Sequence, residues 1–297
     1  MKRKVVQQGP STLMISLPSK WVKENSISKG DELDIKEEKG KIVLSVEERS
    51  APTTKEIHTD DSIFNKYFIN YFYQKGYDNI IIRHTNPEDA SLIHNRIKDL
   101  MGFEITEQNE SSTTIKMLMK VDDQEFGTVL KKLFQITLVM GDKLNSALEQ
   151  KNFNMLPEIK NDEKENNRYC DLCIRILYKN KYSYPDNGFA YFALIRELEQ
   201  VGDFYKYLTE VYTESTNLSL TGLYKEVHDY FRLYYELYYN CSKEKAEEFF
   251  EKKKALLQKC QNLTKESTKE DLLVVSYLTS LTNAIFNLKG PMFLTMV

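Results

Sequence analysis

Residues that break regular structure are scarce in this chain, and their scarcity limits what it can fold into. The 297 residues include only 11 glycines and 7 prolines. An all-β sandwich needs a turn about every ten residues, and turns draw heavily on these two residue types. The sequence therefore disfavours an all-β sandwich and predicts that long helices form most of the chain.

Charge and composition describe a near-neutral globular protein. Lys and Arg number 41 against 44 Asp and Glu, and 41% of the residues are apolar. These values exclude a collagen-like, a prion-like or a strongly basic chain. The first residues show no apolar segment followed by a small-residue cleavage site, so we expect a cytoplasmic protein.

One uncharged stretch, residues 272–288, approaches the length of a membrane span. Ser, Thr and Asn side chains interrupt it at Ser276, Thr279, Ser280, Thr282, Asn283 and Asn287. We therefore interpret it as a buried amphipathic helix and expect no membrane insertion.

The four cysteines are Cys170, Cys173, Cys241 and Cys260. They include a single C-x-x-C pair, with no second pair and no histidines at the spacing that a tetrahedral zinc site needs. We expect reduced thiols in the protein core.

Residues 1–50 carry a strand pattern that the rest of the chain lacks. Short β-prone runs flank Gly9-Pro10-Ser11, and a second pair flanks Lys39-Gly40. A short helix is predicted between the two pairs, beginning near Pro18, which gives the order β-β-α-β-β. So small a unit buries little surface and leaves strand edges open, so we predict that two copies pair.

Positive charge gathers at the start of this segment. Residues 1–29 hold six basic residues against one acid, whereas residues 30–50 hold seven acids against four bases. Phosphate backbones attract such a patch, and hydroxyl groups beside it can donate hydrogen bonds to phosphate. A basic end that is simply solvated explains the same charges, so the residues alone leave both interpretations open.

Four pieces of this segment occur in a distinctive order: Arg3-Lys4-Val5-Val6-Gln7, Ser11 to Pro18, Trp21, and Lys29-Gly30-Asp31-Glu32-Leu33. The order resembles the AbrB/SpoVT/MazE-type swapped-hairpin DNA-binding domain, in which two chains interleave hairpins into one β-barrel. The resemblance implies a homodimer that binds double-stranded DNA. On this resemblance, the residues placed nearest phosphates are Arg3, Lys4, Ser11, Thr12, Lys20 and Lys23.

Beyond residue 50 the hydrophobic period becomes that of helices. Residues 51–60 are predicted to be a polar linker, and residues 61–297 a helical domain that includes a small α/β insert at about 77–119. Short polar joints favour antiparallel bundles. The predicted helical segments are about 122–150, 155–180, 188–217, 220–240, 242–263 and 267–290. The predicted fold class is mainly α, within an α+β whole.

Aromatic residues crowd the segment 224–239. A base-stacking surface is one interpretation, and a bundle core or an interchain contact is the other. Acids in the same segment would repel phosphates, which favours the core or interchain interpretation. The residues concerned are Tyr224, Tyr230, Phe231, Tyr234, Tyr235, Tyr238 and Tyr239.

Two acids, Glu199 and Asp203, stand one helical turn apart within Ile195-Arg196-Glu197-Leu198-Glu199-Gln200-Val201-Gly202-Asp203. A helical wheel places them away from the apolar stripe of this segment, which consists of Leu194, Leu198, Val201, Tyr205 and Leu208. A solvated surface with an Arg196–Glu199 pair explains them, and so does half of a metal site.

The same nine residues resemble the PhoU family, whose helical bundles bind metal clusters through E-x-x-x-D motifs. Gly76-Tyr77-Asp78, Met101 to Ile105, and Glu165 to Arg168 leading to Arg175 add to this resemblance. It implies a site for iron, zinc or magnesium, although Asn167 stands where the family motif has an acid. The residues implied are Glu199, Asp203, Glu163, Asn167 and Asp171.

Together the two resemblances point to the archaeal-type PhoU-related transcriptional regulators. They imply a DNA-binding regulator linked to phosphate uptake or homeostasis, whose helical domain senses a partner or a metal. The alternative is an adaptor that contacts a phosphate transporter or sensor protein without binding DNA, or an antitoxin-like interaction protein. The sequence has no nucleotide-binding loop, Ser-His-Asp order or H-E-x-x-H motif, so we expect no enzyme.

Overall fold

The computed structural model describes residues 2–38, 40–46, 52–60, 67–119, 125–180, 187–212, 218–265 and 267–296. The chain divides into two compact units, Met1–Pro52 and Thr53–Val297. Helices form most of the described residues, and a strand-rich unit precedes a helical bundle. The predicted fold class, mainly α within an α+β whole, is confirmed.

The N-terminal unit consists of two antiparallel hairpins and one short helix. Strand β1 (Val5–Gln8) pairs with β2 (Thr12–Ile15), and β3 (Leu33–Glu38) pairs with β4 (Lys41–Val46). Helix α1 (Ser19–Glu24) lies between them in the chain. Gly9 and Gly40 turn the hairpins at φ of 78° and 82°, a conformation that favours glycine.

Apolar side chains of this unit remain in contact with solvent. The exposed fraction is 71% for Leu13, 68% for Ile35 and 70% for Ile42. Every residue of β1 and β2 is exposed, and α1 buries none. The described side chains of the N-terminal unit therefore form no buried core within a single chain.

The second unit begins with a four-stranded sheet in the order β5-β6-β8-β7. Strand β5 runs parallel to β6, and the other neighbours are antiparallel. Ile80, Ile82 and Ile115 are completely buried on one face of this sheet. The elements are β5 (Thr54–His58), α2 (Phe68–Gln74), β6 (Asn79–Arg83), α3 (Pro87–Ile97), β7 (Phe103–Gln108) and β8 (Ser112–Met117).

The predicted linker at 51–60 is wrong where it overlaps β5. This strand has one apolar residue, Ile57, so its sequence lacks the alternation that predicts a strand. Pairing with β6 holds it instead, and the backbone N–H groups of Asp78 and Asn79 donate to the carbonyl of Thr53. The α/β part therefore begins at residue 54 rather than near 77.

Long antiparallel helices form the remainder of the second unit. Five apolar residues predicted as the stripe of one helix are completely buried: Leu194, Leu198, Val201, Tyr205 and Leu208. The helices are α4 (Phe126–Gln150), α5 (Leu156–Lys179), α6 (Gly188–Val211), α7 (Leu218–Tyr239), α8 (Lys243–Thr264), α9 (Lys269–Asn287) and α10 (Lys289–Met296).

The aromatic residues of α7 lie mainly inside the bundle. Tyr224, Tyr230, Phe231 and Tyr234 are completely buried, whereas Tyr239 is 42% exposed. The interpretation of this segment as a bundle core is confirmed for these four residues, since a ring must be accessible to stack on a base.

Among the described residues, the stretch Lys269–Met296 is long and apolar enough to cross a membrane by length and composition alone. Its mean hydropathy reaches 1.2, and half of the apolar window is buried within the protein. Leu278, Leu281 and Ile285 are completely buried. This burial agrees with a core helix of the bundle.

The cysteines are all free thiols. Cys170, Cys173 and Cys260 are buried, whereas Cys241 is exposed. The expectation of four core thiols is therefore wrong for Cys241, which directly follows Asn240 at the turn between α7 and α8.

Arg175 of α5 joins the bundle to the α/β part. Its side chain is only 2% exposed, and its guanidinium donates to the carbonyls of Tyr73 and Tyr77 at 2.8 and 2.9 Å. It also donates to Asp78 Oδ1 at 2.9 Å, an atom that Lys179 Nζ contacts at the same distance. A buried cation is tolerated only with such a set of partners.

Replacing Arg175 with Met should lower the free energy of unfolding by about 3 kcal/mol, because two carbonyls and a carboxylate each lose a buried charged donor. Urea unfolding followed by circular dichroism measures this change. Lys179→Met is the matched control, since Lys179 contacts the same carboxylate from a side chain that is 41% exposed. The control should cost less than about 1 kcal/mol. Equal effects of the two substitutions would contradict the role given to Arg175.

Candidate functional site

The six residues predicted nearest DNA phosphates are all exposed in the N-terminal unit. Arg3 and Lys4 precede β1, at the open end of the first hairpin. Ser11 and Thr12 lie at the turn end, where Thr12 pairs with Gln8. The hairpin therefore separates the two pairs by the length of a four-residue strand, about 13 Å.

The remaining two residues, Lys20 and Lys23, lie on α1. Lys20 Nζ is 3.7 Å from Glu24, and the two side chains are 85% and 60% exposed. A pair in such contact with water contributes little. Within the described residues, Arg3, Lys4 and Lys23 form no ion pair. These cations are therefore available to an anionic partner, as a spread surface rather than a single pocket.

Residues 6–55 match the family model described as antidote-toxin recognition MazE, bacterial antitoxin. The match covers β1 to β4 and α1 and reaches the first residues of β5. It supports the sequence resemblance of the N-terminal segment to MazE/AbrB-like domains. No curated protein and no solved structure matches the chain.

The residues predicted to bind metal lie on α5 and α6. Glu163 and Asp171 of α5 are buried. The side chains of Glu199 and Asp203 on α6 are 23% and 31% exposed. The interpretation of these two acids as a solvated surface with an Arg196–Glu199 pair is confirmed for the pair and wrong for the solvation, because packing beside α5 removes much of both side chains from water. The sequence around Glu199 and Asp203 predicts one helix, but it carries no information about α5, which packs against that helix.

Side-chain donors already contact these carboxylates. Arg196 pairs with Glu199, as the spacing predicts. Asp171 accepts hydrogen bonds from Gln74 at 2.6 Å and Asn70 at 3.0 Å. The ammonium of Lys206 lies 2.7 Å from both Glu163 Oε1 and Asp203 Oδ1, and the Asn167 amide donates to the same Glu163 oxygen at 2.9 Å.

Burial changes the ionisation of two members of this cluster. It raises the pKa of Glu199 to about 7, and the neighbouring carboxylates of Asp171, Asp203 and Glu163 act in the same direction against Arg196. Burial also raises the pKa of Asp171, while the hydrogen bond from Gln74 opposes the shift. Uncompensated carboxylates would therefore be unfavourable here.

The arrangement does not fit a metal ion as it stands. Within the described residues, no three His, Cys, Asp or Glu side chains converge on one point. The carboxylates instead face an ammonium, a guanidinium and amide groups. Metal binding stays a prediction of the sequence.

A second polar cluster escaped prediction because the chain's histidines are scattered in sequence. His228 of α7 is buried, and its Nδ1 lies 2.8 Å from the hydroxyl of Tyr205. Its Nε2 lies 2.9 Å from Asp142 Oδ1, which Arg232 also contacts. The Cβ of any larger residue at Gly141 would come within 2.2 Å of the His228 ring. Glycine at this position of α4 therefore makes room for the imidazole.

Asp142 and Arg232 connect this cluster to the surface. They line a groove of about 580 Å³ together with residues of α4 and α5. Burial lowers the pKa of His228, while the hydrogen bond and charge of Asp142 oppose the shift. Burial of the imidazole therefore disfavours its protonation in the folded protein.

The protein should lose stability as the pH falls below about 6.5, since His228 binds a proton more readily in the unfolded chain. His228→Gln should be less stable at pH 7.5, but its melting temperature should fall less than that of the parent between pH 7.5 and 5.5. Differential scanning fluorimetry measures both effects. His94→Gln, at an exposed position, is the control and should follow the parent. Parallel curves for the parent and His228→Gln would refute this account.

Proposed function

We propose that this protein is a homodimeric DNA-binding transcriptional regulator whose N-terminal unit contacts double-stranded DNA. The observation that carries the proposal is the N-terminal unit itself, which combines exposed apolar strands with exposed basic residues. Its match to the MazE model supports the class, which fits a DNA-binding regulator or an antitoxin-like role.

The exposed apolar strands support pairing with a second copy. Val5, Leu13 and Ile15 are more than half exposed in a single chain, as are Ile35 and Ile42. Two isolated hairpins with open edges are marginal in water. A second copy supplies both the missing strands and the missing apolar surface.

The exposed cations support contact with phosphates. Dimerisation doubles the number of these cations and places the two sets about a twofold axis, as a symmetric duplex site requires. The patch is mainly lysine, and Arg3 is the single arginine before Arg49. Lysine contacts phosphate as a point charge, so we expect affinity from the backbone to exceed discrimination between bases.

For the helical unit we propose a sensing role in phosphate homeostasis, exercised in the cytoplasm. Two segments that resemble the PhoU family support this proposal, because each of them contacts helix α5 in the structure. Gly76-Tyr77-Asp78 meets Arg175, and Gly202-Asp203 lies against α5. A phosphate-transport or sensor protein is the partner that this resemblance suggests.

A second function is favoured by the family whose model matches. MazE is described as a bacterial antitoxin that recognises a toxin. On this alternative, the N-terminal unit dimerises and the protein neutralises a partner protein. Affinity for DNA and its dependence on salt distinguish the two functions.

Replacing Leu13 and Ile42 with Glu should weaken the dimer at least tenfold, because charges would enter the apolar contact between copies. Analytical ultracentrifugation over a range of concentrations measures the change. Leu294→Glu is the matched control, since Leu294 is an exposed apolar residue of α10. A dimer unaffected by the double substitution would place the interface outside the N-terminal hairpins.

The parent protein should bind a duplex recovered by selection from genomic fragments, and its affinity should fall steeply as salt rises. Replacing Arg3, Lys4, Lys20 and Lys23 with alanine should reduce the slope of log K against log salt by up to about four per bound chain. Fluorescence anisotropy measures both quantities.

The matched control removes four exposed lysines of the helical unit, Lys131, Lys164, Lys254 and Lys265. It should bind as the parent does. Loss of affinity in the control with retention in the N-terminal variant would move the DNA contact to the helical unit. Absence of duplex binding by the parent would favour the antitoxin-like function.

A further inference from the structure

Lys206 places a positive charge where α5 and α6 present carboxylates to each other. Its Nζ donates to Glu163 Oε1 on α5 and to Asp203 Oδ1 on α6, at 2.7 Å in both cases. We propose that Lys206 is the resident cation of this carboxylate cluster. Its ammonium occupies the position between Glu163 and Asp203 that a metal ion would need. It therefore stabilises the contact between α5 and α6 without a metal ion.

The surroundings of the ammonium are built to hold it. The side chains of Lys206 and Glu163 are only 22% and 11% exposed. The amide of Asn167 donates to the same Glu163 oxygen, so that oxygen accepts from both helices. The Lys206 ammonium also lies 4.9 Å from the ring centre of Tyr207. Charge, hydrogen bonds and an aromatic face therefore fix the position of the lysine.

The two helices approach closely beside this contact. A Cβ added to Gly202 of α6 would lie 3.0 Å from Asn166 Oδ1 of α5. Asn166 in turn donates to Thr137 Oγ1 of α4 at 2.8 Å. The Lys206 contact thus lies next to a tightly packed crossing that links three helices.

The other acids of the cluster have donors of their own. Glu199 contacts Arg196, and Asp171 contacts Gln74 and Asn70. An incoming metal ion would have to displace an ammonium that the chain holds at high effective concentration. The carboxylates of the cluster therefore resemble those of a metal site, but the cation that Glu163 and Asp203 bind is the ammonium of Lys206.

Metal analysis and thermal unfolding of the full-length protein test this proposal. The parent, purified without chelator, should contain well below one equivalent of metal. Neither EDTA nor millimolar Mn²⁺ should change its melting temperature. An equivalent of metal in the parent that Glu163→Gln removes would overturn the proposal.

Lys206→Met removes the ammonium but keeps an unbranched side chain of nearly the same length. Its melting temperature should fall, because the buried carboxylate of Glu163 and the half-buried carboxylate of Asp203 lose their cation. Millimolar Mn²⁺ should then raise it by about 2 °C or more, and Glu163→Gln in the same background should abolish that rise. If Lys206→Met does not fold, Lys206→Gln is measured in its place.

The matched control is Lys160→Met. Lys160 of α5 pairs with Glu210 of α6 across the same two helices, but both side chains are 50% exposed. This control should show little loss of stability and no response to Mn²⁺. A Lys206 variant that melts with the parent, or whose melting temperature ignores Mn²⁺, would refute the assignment of Lys206 as the resident cation.

Discussion

One buried guanidinium joins the α/β part of the second unit to its helical bundle. Arg175 lies on α5, while its acceptors belong to the last turn of α2, at Tyr73, and to the turn between α2 and β6, at Tyr77 and Asp78. Since a buried cation must keep its partners, this turn cannot shift along α5 without leaving a charge unpaired. The sheet is thereby fixed at one end of the bundle. Tyr73 and Phe103 pack their rings within 5.5 Å of the same guanidinium, which ties the contact to the apolar core.

The sequence predicted the elements whose signal is local. The stripe from Leu194 to Leu208 follows helical spacing, and glycine marks both hairpin turns of the N-terminal unit. Strand β5 was missed because hydrogen bonds with β6 hold it rather than an apolar face. The two polar clusters of the second unit also depend on residues that are distant in sequence. Lys206 contacts Glu163, which lies 43 positions away, and His228 contacts Asp142, which lies 86 positions away. Spacing within one helix carries no information about such partners.

The two units differ in how much apolar surface each of them buries within one chain. The helical unit buries a continuous core that includes Phe134, Tyr205 and Phe231. The N-terminal unit leaves its apolar strands in water within one chain. On the proposed pairing, the N-terminal unit becomes stable only in a dimer. At low protein concentration, the concentration of this dimer therefore rises with the square of the chain concentration. Binding to DNA would then show a threshold in the amount of protein present.

Several hydrogen bonds fix the first residue of the second unit, Thr53. Thr53 donates its backbone N–H and its hydroxyl to Asp78 Oδ2, at 3.2 and 3.1 Å, while Arg175 and Lys179 hold the other oxygen of that carboxylate. A mechanical pull on the chain ahead of Thr53 would therefore load the Asp78 carboxylate, which passes the force to α5, together with the hydrogen bonds that the backbone N–H groups of Asp78 and Asn79 donate to the Thr53 carbonyl. Under such tension the first step of rupture would be the parting of Thr53 from Asp78 and the peeling of β5 from β6, with the bundle behind them still intact.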